Sequence, residues 1–174
     1  MDTCKCGKPG LSTLKHIGVI CSRCLTAQIE KRYRKNTRMR YGFTPGMTVF
    51  VPSDGSKEAF LNEWFLSNIA KKMPLKVHCG KKALRGEIKV SNLNASSYAS
   101  LGLKMVVHGK KIPGKDIAPL SCATEEELLI VAATLGYKGT KLNIVDPFII
   151  ECEKRYPGIT LAAANCTDIL RRIK

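Results

Sequence analysis

Four cysteines, spaced C-x-C at Cys4 and Cys6 and C-x-x-C at Cys21 and Cys24, dictate how this chain begins. Thiolates in such pairs, with turn-forming glycine and proline between them, can close a tetrahedral metal shell with sulfur roughly 2.3 Å from zinc. Residues 1–25 otherwise show little hydrophobic periodicity, so the metal is expected to hold them. The first pair is tighter than an ordinary half-site, and His16 could stand in for one thiolate. An iron site or unmetallated thiols are the alternatives to zinc. A closed shell leaves no open position for substrate, which makes the metal a fold element. The other cysteines (Cys79, Cys122, Cys152, Cys166) lie far apart. That scatter fits a reducing cytoplasm better than a secreted disulfide scaffold.

A cationic helix follows the cysteines directly. Leu25, Ile29 and Tyr33 repeat at i, i+4 and predict a helix over 25–41. Its other faces carry Lys31, Arg32, Arg34, Lys35, Arg38 and Arg40, with almost no carboxylate to neutralise them. Across 174 residues, 29 Lys+Arg oppose 14 Asp+Glu, a formal net charge of +15. An excess this large and this clustered draws polyanions, and the helix is the candidate RNA-contacting element. Tyr33, Tyr41 and Phe43 are candidates to stack on unpaired bases. The plainer reading is a solvated helix face. No apolar run is long enough to span a bilayer, and the polar N-terminus predicts no secretory signal.

Beyond the Pro45-Gly46 turn the pattern becomes alternating α and β. Residues 47–51 read as a strand, Pro52-Ser53-Asp54-Gly55-Ser56 as a loop, and 57–71 as a helix. Phe60, Leu61, Trp64, Phe65 and Ile69 cover more than half of that helix, so it should be buried on several sides. Strand, small-residue loop and buried helix make the first half of a βαβ unit. Further strands are expected at 75–78, 87–90 and 103–108, and a basic turn at 110–115. Thr124 with Glu127 forms a capping box for a helix that Gly136 closes. Asp146-Pro147 opens another helix, with Phe148, Ile149, Cys152 and Tyr156 as its inward stripe, and a short helix follows at 167–173. The expected fold is α/β: a small Rossmann-like sheet with flanking helices behind a zinc knuckle. Its expected divisions are the knuckle at 1–25, the basic helix linker at 26–42 and the α/β domain at 43–174.

The arrangement resembles the cytoplasmic tRNA 2-thiolation proteins. The residues that carry the resemblance are the knuckle, the basic helix ending Arg40-Tyr41-Gly42-Phe43, and the run Pro45-Gly46-Met47-Thr48-Val49-Phe50-Val51-Pro52-Ser53-Asp54-Gly55-Ser56-Lys57-Glu58-Ala59. Pro119-Leu120, Glu126-Glu127-Leu128 and Glu153-Lys154-Arg155-Tyr156-Pro157-Gly158-Ile159 are similar to the family's C-terminal block. The resemblance implies a pyrophosphatase-type (PP-loop) nucleotide loop, S-G-G-x-D-S, on which active members bind ATP and replace the C2 oxygen of a tRNA uridine by sulfur. Here Ser53, Gly55 and Ser56 remain as a degenerate loop. Asp54 stands where a glycine is expected, and Lys57 and Glu58 take the Asp and Ser positions. Asp54 and Glu58 are expected to repel a triphosphate. The family's catalytic cysteines are not convincingly matched, although Cys79 and Cys122 are candidates.

The implied function is therefore a non-catalytic tRNA-binding accessory subunit of a thiolation complex, resembling a reduced form of the family's second subunit. Its implied partners are tRNA and a catalytic thiolase paralogue, with self-association left open. Two alternatives remain at this point: a compact sulfurtransferase using Cys79 or Cys122, and a generic zinc-ribbon RNA-binding protein.

Overall fold

The computed structural model describes residues 3–10, 12–14, 16–109, 116–139 and 145–173. The chain opens with an antiparallel hairpin, β1 (Ser12–Leu14) and β2 (Gly18–Ile20), in register Thr13 opposite Val19. Helix α1 (Ser22–Tyr41) starts at once, with Cys21 as its N-cap residue and Gly42 in the left-handed conformation closing it. Its buried stripe is Leu25, Ile29, Tyr33, Asn36 and Thr37, so the i, i+4 pattern continues one turn beyond the last apolar residue.

A three-stranded, all-parallel sheet follows, in the order β4-β3-β5. Its members are β3 (Thr48–Pro52), β4 (Lys76–Gly80) and β5 (Ile88–Lys89). Val49, Phe50 and Val51 are all buried, as expected for a central strand covered on both faces. The crossover from β3 to β4 is α2 (Lys57–Ala70), which buries Leu61, Phe65, Leu66 and Ile69 against the sheet and α1. Tyr33 of α1 lies against Phe65 of α2, with ring centroids 4.9 Å apart.

The segment 103–108, expected as a strand, is the last part of helix α3 (Ala95–His108). Asn94 caps it by accepting from Ser97 N at 2.9 Å, and Ala95, Tyr98, Ala99, Gly102 and Met105 form the inward face at helical spacing. Val106 and Val107 mimic a strand but are the solvent side of this helix, 69% and 62% exposed. The 3-10 turn Pro119–Cys122 leads into α4 (Glu125–Thr134), whose Thr124–Glu127 capping box forms as expected.

Helix α5 (Pro147–Arg155) keeps its Asp146 cap, yet its expected inward stripe is corrected. Ile149 is buried, whereas Phe148 and Tyr156 are 58% and 67% exposed. The terminal helix is longer than expected, α6 (Ile159–Ile173), because it crosses α3 closely and draws stability from that contact. Gly102 permits the approach: a Cβ there would sit 1.9 Å from Thr167 Oγ1. The expected basic turn at 110–115 lies outside the described residues.

Candidate functional site

The knuckle brings its four thiols together. The Sγ atoms of Cys4, Cys6, Cys21 and Cys24 lie within 4.8 Å of one another, and Cys6 and Cys21 are 3.6 Å apart. The turn Cys4–Lys8, in which Gly7 N donates to Cys4 O and Cys4 N to Lys8 O, aims the first pair. The start of α1 aims the second. Backbone N–H groups of Cys6 and Cys21 hold the Cys4 thiol down at about 6. Crowding by the other three sulfurs pushes Cys24 up to about 12. Four thiolates at this separation conflict until a cation neutralises them, which is the condition a divalent metal satisfies. The residues fit a four-sulfur shell.

His16, the alternative ligand, is corrected: it turns away from the cysteines to Glu127, at 3.1 Å. Glu127 is fully buried and joins three elements. It accepts from Arg32 Nη1 of α1 at 2.7 Å, from Thr124 N at 2.8 Å within its own helix start, and meets His16 of the hairpin. The Glu127 contact raises the His16 pKa above its usual 6.5, burial opposing. Burial works to raise Glu127, but His16 and Arg32 outweigh it and hold this carboxyl below the usual range. The raised His16 contributes stability that is full below about pH 6.5 and lost as pH climbs through its folded value. Melting temperatures should accordingly fall as pH rises above about 6.5 in the native chain, and His16→Asn should remove that part of the slope. An unchanged slope would exclude the contact.

On α1 the six predicted RNA residues separate into two groups. Lys31, Lys35 and Arg38 are exposed and lie along one stripe, since residues four and three apart share a helix face. Arg34 is half-buried and pairs with Glu30. Arg32 is held by Glu127, and Arg40 reaches α6 through Asn165 and Asp168. The aromatic stacking candidates are corrected too. Tyr33 is fully buried and donates to Asn62 Oδ1 at 2.9 Å, Phe43 is buried, and the Tyr41 hydroxyl is enclosed by the Ala118 backbone.

The loop after β3 is closed from within. Asp54 Oδ1 accepts from Ser56 N at 2.9 Å and Ser56 Oγ at 2.6 Å, so a carboxylate sits on a helix-start amide that would otherwise face an anion. Tyr137 donates to Gly55 O at 2.6 Å across the same loop. The cavity beside Ser53, Gly55 and Ser56 is about 160 Å³, below the roughly 300–1,000 Å³ of a ligand pocket. The expected repulsion by Glu58 is corrected, because Lys57 neutralises it. Lys57 Nζ lies 2.8 Å from Glu58 Oε1 and also binds Glu125, with both the lysine and Glu58 fully buried. Asn94 donates to Glu58 at 2.9 Å and to Glu125. Three helix starts, those of α2, α3 and α4, are tied together by this network. The sequence placed Lys57 and Glu58 at the loop without showing that they pair, and nothing in it marked Asn94.

Cys79 and Cys122 do not form a second thiolate cluster: among the described residues the N-terminal four are the one group of three or more metal-ligating side chains. Burial raises the Cys79 thiol, with Glu63 adding to the effect, and burial pushes Cys122 up to about 12. Thiols held protonated are poor nucleophiles. No helix among the described residues is long and apolar enough to cross a membrane.

A thiolate knuckle, a basic helix and a small parallel sheet with a helix-capped loop after its central strand together make an α/β fold. No protein-family model matches the chain, and no curated protein matches it in sequence. Among solved structures it is similar to the U34-tRNA thiolase NcsA from Methanococcus maripaludis, determined with its 4Fe–4S cluster. The TM-score is 0.76 at 18% identity, covering 99% of this chain and 88% of that one. At this identity the likeness is one of fold.

Proposed function

We propose that this chain is a non-catalytic, tRNA-binding accessory subunit of a tRNA 2-thiolation complex in the cytoplasm, with a structural zinc in its N-terminal knuckle. The observation that carries the reading is the occupied loop: where a thiolase of this fold would cradle ATP, Asp54 takes the Ser56 amide and Lys57 is spent on Glu58 and Glu125. Calorimetric titration with Mg·ATP tests it. No heat of binding is expected at millimolar nucleotide, and saturable binding with hydrolysis would overturn the proposal. Zinc is the proposed metal because four sulfurs within 4.8 Å of one another suit a single tetrahedral ion with sulfur at roughly 2.3 Å; the NcsA structure contains an iron–sulfur cluster.

The tRNA assignment is supported by the exposed stripe Lys31, Lys35 and Arg38 on α1. Replacing all three by alanine should weaken tRNA binding regardless of sequence and flatten its log–log salt dependence by about two to three units. A slope that stays put would remove α1 from the contact surface. The companion chain, a catalytic thiolase paralogue, is supported by apolar side chains left in solvent on α3 (Val106, Val107), at α5 (Phe148, Tyr156) and on α6 (Ile169). A sulfurtransferase based on Cys79 or Cys122 is the weaker reading, because both thiols are held protonated.

A further inference from the structure

The knuckle, α1 and α6 line an open recess of about 700 Å³ that adjoins the metal shell, with Cys4, Cys24 and His16 in its wall, and that lies apart from the closed loop. Its walls differ in chemistry. Ile17 and Val19 of the hairpin and Leu161 of α6 present half-buried aliphatic faces, while Lys5, Gln28 and Arg32 supply the polar part. Arg32 is oriented in advance: both of its recorded contacts, to Glu127 and to Cys122 O, use Nη1. Its side chain is 26% exposed and forms part of the cavity wall. Gln28 offers an amide that both donates and accepts. Gln28 and Arg32 lie three residues before Lys31 and Lys35, so the cavity mouth runs directly into the cationic stripe of α1.

We infer that this cavity takes one nucleotide of a single-stranded RNA segment. The base lies between the aliphatic faces of the hairpin and α6 with its edge at Gln28. The flanking phosphates lie on Lys5 and Arg32, and the strand continues over Lys31, Lys35 and Arg38. A free anion would not need the apolar walls, and a duplex cannot offer an unstacked base to a recess of this kind. The inference rests on the RNA-binding reading above and names the form of RNA that this surface takes.

The test is fluorescence anisotropy with a labelled twelve-residue oligouridylate, the same strand bearing abasic positions, and an RNA duplex of twelve base pairs. The intact metal-loaded chain is compared with Gln28→Trp, Leu161→Trp and Lys35→Ala. Gln28 is only half-buried on the outer side of α1, and circular dichroism with metal content reports whether either bulky variant folds. The native chain should prefer the oligouridylate over the abasic strand by about tenfold, the scale of one base contact. Both tryptophan variants should abolish that preference and leave duplex binding within twofold of the native chain. Lys35→Ala should weaken all three ligands alike. If the native chain shows no preference for bases, or if folded Gln28→Trp retains it, the pocket assignment is wrong while RNA binding stands. If none of the three RNAs binds, the RNA reading fails and the pocket assignment with it.

Discussion

Lys57→Met is expected to cost about 3–5 kcal/mol in equilibrium denaturation, because it leaves the carboxylates of Glu58 and Glu125 facing one another without their shared cation. Glu58 makes the loss severe. It is fully buried, and its Oε2 has no hydrogen-bond partner among the described residues, so Lys57 and Asn94 on Oε1 are its recorded neutralisation. The methionine keeps the length and apolar stem of lysine, which confines the change to charge. Adding Glu58→Gln and Glu125→Gln to the same chain should recover much of the loss, as expected for groups acting as one unit. A midpoint shift equivalent to less than about 1 kcal/mol would mean that the network is hydrated and of little consequence. The effect bears on function because the same residues fasten the starts of α2, α3 and α4. A chain freed of them loses the frame that holds Asp54 and Ser56 shut.

Cys21→Ser is expected to reduce bound metal from about one per chain to near zero by elemental analysis, and to release the hairpin to proteolysis. Apparent free energies of about 10–16 kcal/mol for structural zinc at neutral pH explain why one lost thiolate suffices. Cys21 is also the residue preceding α1, so the damage reaches the helix start. It should weaken with distance, because Leu14, Ile20 and Cys21 border the near side of a continuous core whose far side is formed by Leu61, Phe65, Leu66 and Leu128 of α2 and α4. Protection of amides in β3 and α2 should therefore survive while that of β2 and the first turn of α1 is lost. Full metal content in the variant would exclude Cys21 as a ligand, and collapse of the whole chain would mean that the knuckle and core fold as one. A strong chelator applied to the native chain should reproduce the variant.

Local sequence signals match the structure where the physics is local. The cysteine spacing, the capping box at Thr124 and Glu127, the Asp146-Pro147 helix start and the β3–α2 pair all depend on neighbours a few residues apart, and each is present. At 103–108 local preference and structure differ: Val106 and Val107 suit a strand, and the serine-rich start of α3 suits a loop. Packing of Ala95, Tyr98 and Met105 against Ala118 and α6 overrides both tendencies. The burial of Tyr33 and Phe43 and the enclosure of the Tyr41 hydroxyl are not legible in the sequence, because periodicity gives a residue's face but not what covers it.

By itself the sequence determined the knuckle, the cationic character of α1 and the succession of strand, loop and helix. Only the tertiary structure decided the destinations of charge. It sent Arg32 and His16, far from Glu127 in sequence, to the same buried carboxylate, and it closed Lys57 over Glu58 and Glu125. The physical reason is that a buried ion is stable only beside its counter-ion, and which side chains become neighbours depends on how helices pack across the core, a relation that spacing along the chain does not encode.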